Sequence, residues 1–363
     1  MQPLAGIKVV ETASYLSGPW AGMMLADLGA DVVKAEPPGG DPYRGFGRPE
    51  TPVAAVWAAC NRGKRSVTVD LKTAEGVADL LALAADADVY LSNWRPDVAE
   101  RLGVGDAVLA AANPRLIRCW ITGNGPTGPR ADEPAFDTVI QARSGMTDAV
   151  ARSGNPTVST GYPVDKLTAL MATQAVLAAL LVRERTGEGD RLDVAMLDAT
   201  AYVDFPDLMV NRMFLDHQPV GARHVHALSQ AAIPASDGWF VVAGVSGSQI
   251  KRSCVAIGHP EFAADLFAQP DNAALLRRIL ELFAPVTTEK PLAHWLDAFR
   301  EHDVPAAPCL TIDEHLVDEQ VEHNRIYRVE DWPGIGRVRT VRYPAVSPRW
   351  GLLEGGGAPT AEP

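Results

Sequence analysis

Residues Lys8-Val-Val-Glu-Thr-Ala-Ser-Tyr-Leu-Ser-Gly-Pro-Trp-Ala-Gly-Met-Met-Leu-Ala-Asp-Leu-Gly-Ala-Asp-Val-Val-Lys-Ala35 decide the fold. The run Lys8-Val-Val-Glu-Thr predicts a strand. The apolar stretch from Trp20 to Leu28 predicts a helix stopped by Gly29, and Asp31-Val-Val-Lys-Ala is the next strand. A Pro/Gly loop follows, from Pro37 to Pro42. The alternation then continues. Ser66-Val-Thr-Val-Asp-Leu and Asp88-Val-Tyr-Leu-Ser read as strands around a helix over Ala74–Ala85. Helices near Pro96–Leu102 and Gly105–Ala112 precede a strand around Ile117. A long apolar helix from Lys166 to Arg183, the turn Thr186-Gly-Glu-Gly and the strand-like Leu192-Asp-Val-Ala-Met complete the series. Strands alternating with helices imply a parallel sheet covered on both faces, so the expectation is an α/β, Rossmann-like domain over residues 1–215.

From about Asp216 the texture changes to loops and short amphipathic helices, at Ser248–Ile257, Asn272–Phe283 and Pro291–His302. These predict a smaller α+β domain over 216–303. Val304-Pro-Ala-Ala-Pro opens a return segment, 304–350, expected to pack on the large domain, and the Gly-rich tail 351–363 reads as disordered.

The chain has 363 residues, a net charge of -12 and 47% apolar residues. That balance argues against a general nucleic-acid binder, which carries a basic face, yet leaves room for an anionic ligand held by a local cluster of cations. Cys60, Cys119, Cys254 and Cys309 are widely spread, so neither a disulfide framework nor a zinc site is expected. Seven of the eight histidines fall after residue 217, and only His224 and His226 are close together, so no metal centre is predicted. The N-terminus lacks a signal-peptide pattern, and the helix after Asp165 reads as a core helix rather than a membrane span. A cytoplasmic protein without a membrane partner is the resulting expectation. GxGxxG after the first strand, Walker A, HExxH and GxSxG are all absent.

Asp165 follows Gly161-Tyr-Pro-Val and opens the long apolar helix. An Asp before an apolar run is a good N-cap, and the positive end of the helix favours its ionised form. It is therefore either a capping group, the usual role, or a nucleophile held ready at neutral pH.

Six segments in order resemble the class III coenzyme A transferases, the family that includes formyl-CoA:oxalate and carnitine CoA-transferases and has the α-methylacyl-CoA racemases as relatives. They are Leu28-Gly-Ala-Asp-Val-Val-Lys-Ala-Glu, Asn61-Arg-Gly-Lys-Arg-Ser-Val-Thr-Val-Asp-Leu-Lys, Ala87-Asp-Val-Tyr-Leu-Ser-Asn-Trp-Arg-Pro, Phe136-Asp-Thr-Val-Ile-Gln-Ala-Arg-Ser-Gly-Met, Thr186-Gly-Glu-Gly-Asp-Arg-Leu-Asp-Val-Ala-Met and Val304-Pro-Ala-Ala-Pro. The resemblance implies an acyl-CoA:carboxylate transferase in which Asp165 is the catalytic carboxylate. It implies acyl-CoA and a carboxylic acid as partners, CoA as substrate rather than a permanently bound cofactor, and an interlocked, ring-like homodimer. It places Lys72 and Arg101 near the CoA phosphates, Asn93 and Trp94 near the adenine or ribose, and Leu16, Ser17 and Val69 along the same cleft. Tyr15, Phe136 and Asp137 are the candidate substrate-pocket residues.

The chain also departs from the oxalate-using members. Pro37 and Pro134 stand where they carry basic residues, and Leu16 where they carry Gln, so oxalate is not the expected acid. The racemases use a His where this chain has Phe136, and a phenyl ring cannot move a proton, which favours transfer over Cα epimerisation. A CoA-ester-binding subunit without transfer activity is the remaining alternative.

Overall fold

The computed structural model describes residues 1–46, 51–150, 155–209, 212–216, 232–244, 246–269, 272–345, 347–350 and 357–359. The chain divides into two compact units, Met1–Asp204 with Arg325–Pro363, and Phe205–Asn324.

The first unit is built on a six-stranded sheet of β1 (Lys8–Glu11), β2 (Asp31–Glu36), β3 (Arg65–Thr68), β4 (Val89–Ser92), β5 (Ile117–Thr122) and β6 (Arg191–Ala195). Every neighbouring pair is parallel, in the order β3-β2-β1-β4-β5-β6. All residues of β4 and β5 are buried, as expected of central strands with helices on both faces. The helices are α1 (Ser17–Asp27), α2 (Ala55–Asn61), α3 (Ala74–Ala85), α4 (Pro96–Arg101), α5 (Asp106–Ala112), α6 (Asp137–Ser144), α7 (Met146–Ala149), α8 (Pro163–Thr186) and α9 (Met196–Leu208). Strand order reverses between β1 and β4, so the loops after these two strands diverge and open a crevice at their C-terminal ends.

One face of α8 carries Val164, Ala169, Ala172, Val176 and Leu180 into the core formed with Met23, Leu25, Val32, Leu91 and Ile121. By length and composition α8 does pass the test for a membrane span, contrary to the sequence reading, but this buried face is part of the sheet-covering core. A separate core of Leu80, Tyr90, Leu109 and Trp120 fills the opposite face.

The second unit has its own core around Phe240, Phe283, Trp295 and Phe299. Its sheet is antiparallel, β7 (Ala232–Pro234), β8 (Trp239–Val242) and β9 (Ala306–Pro308), covered by α10 (Gly247–Ala256), α11 (Phe262–Phe267), α12 (Asn272–Thr287) and α13 (Leu292–Glu301). Because Ala306–Pro308 pairs with β8, residues from Val304 onward stay with this unit. The chain re-enters the first unit at Arg325, later than the sequence texture placed the return, and forms the antiparallel pair β10 (Tyr327–Trp332) and β11 (Gly336–Val341). Most of the tail 351–363 lies outside the described residues, as do His224, His226 and the 218–231 stretch. Residues 357–359, read as part of a disordered tail, are instead held: Gly63 N–H donates to Gly357 O at 3.2 Å and Ala358 is buried.

Candidate active site

A cleft of about 370 Å³ opens at the switch point between β1 and β4. Its wall brings together Tyr15 and Ser17 from the loop and helix after β1, Asn93 and Trp94 after β4, Phe136 ahead of α6, and Asp165. Arg95, Thr122, Glu133, Pro134 and Met196 are among the other residues of its inner surface.

Asp165 is in the first turn of α8 and is not its cap. The N-cap is Tyr162, in the left-handed region with φ 54°, and it makes no side-chain capping bond. The missing cap comes from elsewhere: Asp137 Oδ2 accepts the Asp165 backbone N–H at 3.0 Å. Asp137 is 2% exposed and its Oδ1 accepts from Gln141 Nε2 at 2.5 Å. Gln141 in turn grips the chain ahead of α8 through both the N–H and the carbonyl of Ser159. Asp137, expected as a substrate-pocket residue, is therefore sealed behind the wall, where its carboxylate fixes the first turn of α8.

The charge state of Asp165 also differs from the expectation. Burial pushes its carboxyl up to about 7, the facing Asp137 carboxylate adds to the rise, and a hydrogen bond from Ser17 opposes it. The helix-end field does not offset these two effects, because desolvation and a like charge both disfavour the anion. The free site is thus about half ionised at pH 7.

The first loop is fixed around this carboxylate. Asn93 Oδ1 accepts the Ser14 N–H at 2.9 Å and Asn93 Nδ2 donates to Ser14 O at 2.7 Å, so this side chain is spent on the loop's backbone. Tyr15 takes a left-handed φ of 65°, and its ring meets Phe136 edge-on at 5.3 Å and Tyr43 at 5.9 Å. Phe136 is 56% exposed, so the cleft has an aromatic rim.

The other candidates do not share this wall. Leu16 is buried beneath it, at the N-cap of α1. Val69 is buried just after β3 and lines a separate groove beside Lys8 and Arg65. Lys72 is exposed, and Arg101 is exposed on α4 and pairs with Asp97 at 3.0 Å. Arg62, Lys64 and Arg65 are ion-paired with Asp27, Glu11 and Asp31. Sequence reasoning missed Asp41, whose Oδ1 accepts the Tyr15 N–H at 3.3 Å and the Tyr43 N–H at 2.9 Å. An Asp inside a Pro/Gly loop was the available signal.

A half-buried carboxylate on the wall of a switch-point cleft, beside the Ser17 hydroxyl, is equipment for group transfer. The chain belongs to CoA-transferase family III, whose model matches residues 4–360. It is 34% identical over 373 residues to the succinate–glutarate CoA-transferase of Agrobacterium fabrum, covering 96% of this chain and 93% of that one. It is also 34% identical over 318 residues to the acetyl-CoA:oxalate CoA-transferase of Acetobacter aceti, covering 86% and 82%. Among solved structures, a CAIB/BAIF family protein from Brucella suis superimposes with a TM-score of 0.84 at 32% identity, covering 99% of this chain and 96% of that one. The protein is a transferase whose substrates are CoA thioesters.

Proposed function

We propose that the protein moves CoA from an acyl-CoA thioester to a second carboxylic acid through covalent intermediates on Asp165. The observation that carries this reading is the Asp165 carboxylate itself, on the cleft wall beside Ser17. The ionised carboxylate attacks the thioester carbonyl, the C–S bond breaks, and a mixed anhydride and CoA thiolate form. The thiolate then attacks the aspartyl carbonyl and the donor acid leaves as its carboxylate. The acceptor carboxylate attacks the resulting aspartyl-CoA thioester and expels the thiolate. Attack of that thiolate on the acceptor's acyl carbon completes the transfer and restores Asp165. No proton is consumed across the cycle, and the thioester's free energy is conserved.

In this reading Ser17 and Trp94 guide the pantetheine arm and adenosine, Tyr15 and Phe136 border the acyl group, and Lys72 and Arg101, both exposed and outside the cleft wall, are assigned to the phosphates by the family resemblance alone. Asn93 contributes by fixing the loop. Leu16 supports the cleft from beneath, while Val69, in a separate groove, is tied to CoA by the family resemblance alone. An interlocked homodimer, carried by the family resemblance, and a cytoplasmic setting, carried by the widely spread cysteines and the N-terminal pattern, complete the proposal. Epimerisation would require a second proton-transfer group, and Phe136 offers none.

Asp165→Ala tests the reading. Transfer is expected to fall below detection while CoA binding by calorimetry stays within about threefold, since the lost group acts on the thioester and not on the nucleotide. Normal turnover in this variant would refute it.

A further inference from the structure

Four buried ionisable side chains lie beneath the loop joining β1 to α1. Glu11 and Lys34 are 0% exposed, Asp41 2% and Lys64 5%. Glu11 bridges the two lysines: Oε1 accepts from Lys34 Nζ at 2.9 Å and Oε2 from Lys64 Nζ at 2.7 Å. Each lysine then donates to a backbone carbonyl of the loop or helix start, Lys34 to Ala13 O at 2.6 Å and Lys64 to Pro19 O at 2.8 Å. Asp41 pairs with Lys34 at 3.0 Å and accepts the Tyr15 N–H. The segment Ser14–Ser17 is thereby held before, within and after its length.

Two further features mark the cluster as built for this loop. Tyr15 occupies a left-handed φ that a non-glycine residue adopts at a cost, so the surroundings must impose it. Gly22 faces the cluster, and a Cβ there would sit 1.9 Å from Glu11 Oε2. Buried ion clusters are often no more stabilising than apolar side chains of equal volume. What Lys34, Lys64 and Asp41 supply, and apolar side chains would not, is directed bonds to named backbone atoms, with Glu11 holding the two lysines in place.

We propose that Glu11, Lys34, Lys64 and Asp41 form a positioning device for Ser17, holding the first loop so that the Ser17 hydroxyl meets the Asp165 carboxylate and tunes its readiness to attack. None of the four lines the cleft, so they act through the loop. The proposal rests on Asp165 being the nucleophile. Ser17 from α1 shares the cleft wall with Asp165, Asp137 from α6 accepts its backbone N–H, and Tyr43 lies close enough to feel its charge. Of these, Ser17 alone is delivered by the loop the cluster grips.

The test is titration of the Asp165 carboxyl by carbon-13 NMR in the full-length protein, with the resonance assigned from Asp165→Asn. Asp41→Ala removes the acceptor of the Tyr15 and Tyr43 N–H groups and one partner of Lys34, so Lys34→Met, which leaves the Tyr43 hold intact, is measured beside it. The Asp165 midpoint is expected to rise by about one unit or more, the share a hydrogen bond contributes to a charged group. Asp41→Asn keeps an acceptor for the Tyr15 N–H and should return most of the shift. A midpoint in Asp41→Ala within about 0.3 unit of wild type, whatever its melting temperature, would overturn the proposal. Should Asp41→Ala not fold, Lys34→Met, which frees the Ala13 carbonyl, is read in the same way. Failure of both to give folded protein would assign the cluster to stability alone and also overturn it. Turnover of Asp165→Ala is measured in parallel: if that variant is active, the reading of Asp165 fails, whereas an inactive Asp165→Ala with an unshifted Asp41→Ala sinks only the positioning role.

Discussion

Replacing Ser17 by Ala removes one hydroxyl from the cleft wall and leaves every charge in place. The magnitude follows from the groups around Asp165. Burial and the Asp137 carboxylate hold its carboxyl up at about 7, and the Ser17 hydrogen bond is the opposing effect. A hydrogen bond to an ionised group contributes about 1.5–3 kcal/mol, or roughly one to two pKa units. Without it the anion loses support, so the midpoint moves upward. At pH 7 the ionised fraction then falls from about half to between roughly a tenth and a hundredth, and only the anion attacks. The expected loss in kcat/KM at pH 7 is therefore about 5- to 50-fold, shrinking to about twofold or less by pH 9 as the variant also ionises. The assay is a pH profile of kcat/KM from pH 5.5 to 9.5, using an acyl-CoA and carboxylic acid pair that the wild-type enzyme turns over. Because kcat/KM reports the free enzyme, the acid limb reads Asp165 directly. A deficit of equal size at every pH, or a profile superimposing on wild type, would refute the reasoning.

Asp165 also sets a pH dependence of stability. Its folded pKa of about 7 lies above the ordinary 3.8, so the folded state binds this proton more tightly. The resulting stabilisation is complete below pH 3.8 and is lost as pH rises through 7, a change of about 4 kcal/mol at most. Asp165→Asn carries no such loss and should melt higher than wild type at pH 8, with the gap closing by pH 4; a gap independent of pH would contradict this. Glu36 shows the opposite sign. Burial alone would push its carboxyl up, but bonds from Arg44, Ser66 and the Asp41 N–H outweigh that and hold it down at about 2. Its contribution is present above the ordinary 4.5 and lost toward pH 2. Arg44→Ala strips the guanidinium from this buried carboxylate and should cost about 3–5 kcal/mol in urea unfolding at pH 7; a cost under about 1 kcal/mol would show that Glu36 is adequately solvated without it.

Most of the first unit's sheet was legible because buried parallel strands such as Val89–Ser92 and Ile117–Thr122 leave short apolar runs between helical patterns. Strand Ala306–Pro308 was not, since a short Pro-rich run has no alternation to read, and it was assigned to the wrong unit. The hairpin Tyr327–Trp332 with Gly336–Val341 escaped for a related reason, its charged and half-exposed residues giving no buried stripe. In the site, the position of Asp165 was legible from the helix it opens. Its charge state was not, because that depends on burial and on Asp137, which lies 28 residues away in sequence. Lys64 shows the same limit: among basic neighbours it reads as a surface charge, and only the fold reveals the buried carboxylate it serves.

The covalent step is tested most directly by incubating the enzyme with an acyl-CoA, quenching with hydroxylamine and weighing the peptide that carries residue 165. An activated aspartyl carbonyl must yield a hydroxamate on that peptide, and nothing of the kind in enzyme without the thioester. A peptide of unchanged mass, from enzyme shown to turn over the same ester, would contradict the account.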